Sequence, residues 1–118
     1  MSNCGSQLPD YRHKIASMPL QDLIERPTLL LDEARCRANI ERMVAVARRH
    51  DLLFRPHFKT HQSQEIGRWF RDYGVGAITV SPVTMASYFD DDGWRDITIA
   101  FPVNLRERRQ ISALASRV

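Results

Sequence analysis

The chain has 118 residues, 43% of them hydrophobic, with 17 basic and 14 acidic side chains and a formal net charge of +3. That length fits one ordinary domain, which buries roughly two-thirds of the surface its unfolded form exposes, so a core can form without staples. The small, scattered positive charge argues against nucleic-acid binding, and no apolar run reaches the ~20 residues of a membrane span. Cys4 and Cys36 have no metal-type spacing and no apolar leader before them, which argues against a disulfide framework or secretion and makes a reducing, cytoplasmic setting the expectation.

Residues 1 to 26 are polar and irregular, with Pro9 and Pro19, and read as an arm with at most one short helical turn. From Thr28 the pattern changes. TLLLD reads as a strand, and Asp32 caps a helix in which Ile40, Met43, Val44 and Ala47 recur at helical spacing. LLFRP is the next strand candidate, followed by a helix with Ile66, Trp69, Phe70 and Tyr73 on one face, stopped by the glycines of YGVG. AITVS is the third, with Ser81 as cap and Pro82 in the first turn of a helix ending near Gly93. DITIAF is the fourth, and Asn104 with Glu107 makes a capping-box-like start to a helix whose Ile111, Leu114, Ala115 and Val118 share a face.

Strand-helix units with short connections and continuously apolar strands predict an α/β fold with a parallel sheet covered by helices. A doubly wound sheet and a (β/α)8 barrel both fit such a pattern. The phosphate-binding glycine fingerprint of many nucleotide-binding doubly wound sheets is missing. A barrel typically takes about 250 residues, so a barrel reading makes the chain part of one.

The densest chemistry lies in RPHFKTH, Arg55 to His61. In a barrel the active site lies at the C-terminal ends of the strands, which is where this stretch would fall. On an extended chain Arg55, His57 and Lys59 point to one side, and Phe54, Pro56 and Phe58 to the other. A lysine partly desolvated there and close to other cations is pushed toward the neutral amine, the form that attacks a carbonyl to give a Schiff base. The plainer alternative is a solvated loop whose Thr60 or Ser63 caps the following helix.

RPTLLLD, the helix beginning EARCRANIERM, RPHFKTH, AITVS and DITIAFPV, in that order, resemble the N-terminal portion of the alanine-racemase-like pyridoxal phosphate enzymes. The likeness is to the branch of D-threonine aldolase and D-serine dehydratase, whose hallmark is an R-P-H-x-K-T-H motif, and it runs from about Pro27 to Ile111. The resemblance implies a partial (β/α)8 barrel over residues 27 to 118, with TLLLD outside the barrel beside a C-terminal β-domain. It implies that Lys59 holds pyridoxal phosphate as a Schiff base at the end of the first barrel strand and moves protons at the substrate Cα, and that His57 contacts the cofactor. The implied activity is that of a lyase on D-amino acids, by aldol cleavage or dehydration of a 3-hydroxy substrate. The alternatives are a truncated, non-catalytic segment that binds the cofactor or is inactive, and a racemase-like protein that binds pyridoxal phosphate.

The family's later strands, phosphate-binding backbone and metal ligands have no counterpart in these residues. The 118 residues alone are therefore expected to be inactive and to bind no metal, and a homodimer or association with a C-terminal part is implied. His13, His50, His57 and His61 do not match the family's metal ligands, and Asp90, Asp91 and Asp92 read as a solvated helix end. Thr60 and His61 are candidates to bond cofactor or neighbouring backbone, and Arg55 to pair with a carboxylate inside the barrel. Trp69, Phe70 and Tyr73 read as a packed face, Trp94 as a rim cover, and Arg106, Arg108 and Arg109 as the solvent side of a helix.

Overall fold

The computed structural model describes residues 19–118; Cys4, Pro9 and His13, with most of the polar arm, lie outside the described residues. The chain divides into two compact units, Met1–Leu31 and Asp32–Val118. The described part of the first holds a single 3-10 turn, Leu20–Leu23, closed by the Asp22 N–H donating to the Pro19 carbonyl at 2.9 Å. Residues 27 to 32 are irregular, so TLLLD forms no strand. Hydrophobicity alone does not make a strand; a neighbouring ladder must stabilise it.

The second unit is a mixed α/β arrangement. α1 (Glu33–Arg49) is followed by α2 (Gln64–Asp72), β1 (Ala77–Val80), α3 (Val83–Asp91), β2 (Asp96–Ile99) and α4 (Arg108–Ala115). β1 and β2 pair in parallel, with Ala77 beside Asp96 and Val80 beside Ile99. LLFRP, expected to be a strand, runs along the other edge of β1 but is joined to it by one bridge, His57 with Thr79. The Thr79 N–H donates to the Pro56 carbonyl at 2.8 Å. In that register the next bond toward the start of β1 would come from the N–H of residue 56. Proline has none, so the ladder stops.

Local chemistry sets the helix ends. Asp32 accepts the Arg35 N–H at 2.9 Å to cap α1, and Ser63 caps α2 through the Ile66 N–H at 3.4 Å. Gly74 closes α2 at φ +82°, with the Val75 N–H returning to the Phe70 carbonyl. The N-cap of α3 is Pro82, one residue after the expected Ser81, and no side chain caps it. Asn104 accepts the Arg106 N–H in the turn before α4.

The core lies between the helices and one face of the sheet, centred on Phe58, Ile78, Val80, Phe89 and Trp94. Ile40, Val44 and Ala47 of α1 are buried as expected, whereas Met43 is exposed. Trp69 is buried, with Ile66, Phe70 and Tyr73 packed on the core. On α4 only Leu114 is buried. Trp94 is a core residue under α2 and not a rim cover: its ring lies 5.2 Å from that of Phe58, and Arg71 stacks over it.

Candidate functional site

RPHFKTH changes conformation halfway along. His57 is extended (φ −93°, ψ 113°), and Phe58–Thr60 then make a 3-10 turn that leads through His61 to α2. The alternation expected to align Arg55, His57 and Lys59 therefore ends at His57. The turn is pinned by Phe58, which is fully buried with its ring 4.9 Å from Phe89 and 5.1 Å from Phe70.

Arg55 reaches across β1 to β2. Its Nη1 and Nη2 donate to the two carboxylate oxygens of Asp96 at 2.7 and 2.9 Å, and Nη1 also lies 3.3 Å from the Ile78 carbonyl. This two-point pair holds the Asp96 carboxyl below the usual carboxylate range and ties three segments together. Arg55 is thus committed to the scaffold through a carboxylate, as the sequence suggested.

The His57 ring is half-buried, and its Nδ1 accepts the Lys59 N–H at 3.3 Å. The Lys59 side chain is exposed and has no acidic partner among the described residues. Its surroundings here do not supply the desolvation expected for it. Gln62 and Gln64, which the sequence did not single out, complete the loop. Gln62 Nε2 donates to the Lys59 carbonyl at 3.2 Å, and Gln64 Nε2 donates to the Tyr88 carbonyl at 2.6 Å. A recess of about 290 Å³ lined by Gln62, Pro82, Thr84, Met85 and Tyr88 opens beside this loop. Another, of about 230 Å³, lies beyond the C-terminal end of β2 and includes Ile99, Phe101, Asn104 and Ile111.

His61 turns inward. Its ring stacks on Phe70 at 5.8 Å and meets the edge of Phe58 at 4.5 Å, and its Nε2 is buried without a hydrogen-bond partner among the described residues. Burial pushes its pKa below the ordinary histidine value. The unfolded chain takes up a proton near pH ~6.5 while folded His61 resists it, so stability should fall as pH drops below that point. His61→Phe is expected to flatten this part of the stability-against-pH curve, measured by urea unfolding between neutral and mildly acidic pH.

The acidic cluster is a solvated helix end only at Asp91, which is exposed. The side chains of Asp90 and Asp92 are each only 4% exposed. Asp90 pairs with Arg95 and, at 2.8 Å, with Arg117; Asp92 pairs with Arg71 and, at 2.8 Å, with Arg68. Among the described residues no group of three His, Cys, Asp or Glu side chains is placed to hold a metal, and no helix is long and apolar enough to cross a membrane. Arg106, Arg108 and Arg109 are exposed, as expected.

The chain is 38% identical over 77 residues to a D-threonine aldolase of Arthrobacter sp, a match covering 65% of this chain and 20% of the relative. Its backbone is similar to that of D-threo-3-hydroxyaspartate dehydratase. A histidine-to-alanine mutant of that protein gives a TM-score of 0.81 at 27% identity, covering 91% of this chain and 28% of that one. A cysteine-to-alanine mutant in the metal-free form gives 0.75 at 30%, covering 80% of this chain and 25% of that one. No family model matches the chain. The matches thus span between a fifth and somewhat over a quarter of these relatives' length. Likeness in sequence to the one and in both sequence and backbone to the other shows that the chain is related, over part of its length, to D-threonine aldolase and D-threo-3-hydroxyaspartate dehydratase.

Proposed function

We propose that residues 27 to 118 are the N-terminal part of a (β/α)8 barrel domain in a cytoplasmic, pyridoxal phosphate-dependent lyase acting on 3-hydroxy D-amino acids, with Lys59 as the residue that holds the cofactor. The observation that carries this is the setting of Lys59. It is an exposed amine without an acidic partner among the described residues, just after the segment bridged to β1, in a backbone like that of the dehydratase. The donors present fit the group. A primary amine can hold an aldehyde covalently, and the His57 ring, whose Nδ1 is occupied by the Lys59 N–H, keeps Nε2 for a contact with the cofactor.

When bound, pyridoxal phosphate supplies an electron sink for charge developing at the substrate Cα. Lys59 would contribute the amine that removes the proton from that carbon in a dehydration, or delivers one to it after an aldol cleavage. Arg55 holds the extended segment before Lys59 against β1 and β2, keeping the turn at a fixed place. Residues for the phosphate and for any divalent metal belong, in this reading, to the part of the relatives that the chain does not match.

Uncovered apolar surface supports a unit that works joined to more of the barrel, in a second chain or a C-terminal part. Leu53 is 74% and Phe101 67% exposed, and the outer edge of β2 has no partner strand among the described residues. Two experiments test the proposal. Titrated with pyridoxal phosphate, the chain should gain the absorbance of a lysine-bound cofactor, and Lys59→Ala should lose it entirely. Combined with a complementing C-terminal part, it should turn over D-threonine or a related 3-hydroxy D-amino acid. Cofactor uptake without turnover in that combination would favour a non-catalytic binding segment, and uptake by Lys59→Ala equal to wild type would rule out Lys59 as the anchor.

A further inference from the structure

We infer that Gln62, the residue after RPHFKTH, is a positioning residue that fixes the backbone of Lys59 through its side-chain amide. Gln62 sits at φ +49°, in the left-handed region that a residue with a Cβ enters at a cost and glycine enters freely. Its N–H donates to the Phe58 carbonyl at 3.0 Å, which closes the turn. The two other turns of this kind that end α2 and α3 use glycine, Gly74 and Gly93. Among the described residues the other non-glycine residue with positive φ is Asp51, a type whose short side chain suits this region. Glutamine has no such aptitude. What it offers over glycine here is the side chain, and that side chain donates to the Lys59 carbonyl at 3.2 Å.

Both peptide groups of Lys59 are therefore held by side chains, the N–H by His57 and the carbonyl by Gln62, while the amine stays exposed. Fixing the backbone of a reacting side chain narrows the volume its terminal atom searches and raises its effective concentration at the site. The consequence for reactivity rests on Lys59 being the cofactor lysine; the tether itself does not.

Gln62→Gly and Gln62→Met separate positioning from mere support. Glycine relieves the backbone and removes the donor, whereas methionine keeps the strain and the length and removes only the donor. Two readouts are taken on the 118-residue chain: hydrogen exchange of the Lys59 amide without cofactor, and the rate at which pyridoxal phosphate attaches to Lys59. Both variants should exchange several-fold faster at Lys59 and attach pyridoxal phosphate several-fold more slowly, with thermal unfolding of Gln62→Gly no lower than wild type. A purely structural role predicts that Gln62→Gly exchanges no faster at Lys59 and attaches pyridoxal phosphate no more slowly than wild type, and that result overturns the inference. If wild type takes up no pyridoxal phosphate at Lys59, the cofactor reading fails, and exchange alone decides the tether: a several-fold rise in both variants supports it, and unchanged exchange refutes it.

Discussion

Phe58→Ala is expected to cost about 3–5 kcal/mol of folding stability. The Phe58 ring is fully buried, with neighbouring ring centres at 4.5 Å for His61, 4.9 Å for Phe89, 5.1 Å for Phe70 and 5.2 Å for Trp94. These rings come from the turn itself, from α3, from α2 and from the segment before β2. No single element can move inward to fill the space, so the cavity should persist and the cost should fall at the upper end of its range. A domain of this size has about 5–15 kcal/mol in total, so a large share is lost. The lowered urea midpoint should come with an unchanged slope. A loss below about 1 kcal/mol would mean that the ring cluster does not hold the turn carrying Lys59.

Gly67→Leu should be the next most damaging change, at about 1–3 kcal/mol, although leucine is the better helix former. Gly67 lies on the face of α2 that rests on the aromatic cluster. A Cβ there would stand 3.1 Å from Phe58 Cε2 and 3.5 Å from both Phe89 Cε1 and Trp94 Nε1. Replacing glycine in a helix interior by a good helix former gains only about 0.8–1 kcal/mol, less than the overpacking of rings that have no room to retreat. Gly67→Ala measures the balance more finely, since one methyl requires Phe58 to yield by only a few tenths of an ångström. Denaturant unfolding of both variants should rank wild type above Gly67→Leu by at least 1 kcal/mol, with Gly67→Ala between them.

The features legible in the sequence are those fixed by neighbours along the chain. Helical spacing gave the buried faces of α1 and α2, and Asp32, Ser63 and Gly74 act at the helix ends where their chemistry suggested. AITV and DITI are strands because each finds the other in parallel register. What misled was set by distant partners. TLLLD has the composition of a strand without a ladder, and LLFRP loses its ladder to the missing N–H of Pro56.

Asp90 and Asp92 looked like solvent-facing charge because the arginines that cover them come from α2, from just before β2 and from just after α4. At the site, the motif indicated Lys59 and His57, yet the break in alternation after His57 comes from burial of Phe58 beneath α2, which spacing does not reveal. Arg55 was expected to find a carboxylate, but Asp96, 41 residues away, is located only by the register of β2. Gln62 carried no signal, since a positive φ on glutamine is visible only in the fold.

The central claim is that Lys59 holds an aldehyde cofactor. The direct test is to incubate the 118-residue chain with pyridoxal phosphate, reduce with borohydride, digest, and locate the pyridoxyl group by mass spectrometry. One dominant adduct is expected on Lys59, absent from Lys59→Ala. A chain whose fold is intact by circular dichroism but whose Lys59 carries no pyridoxyl group, or carries no more than Lys14, would contradict it.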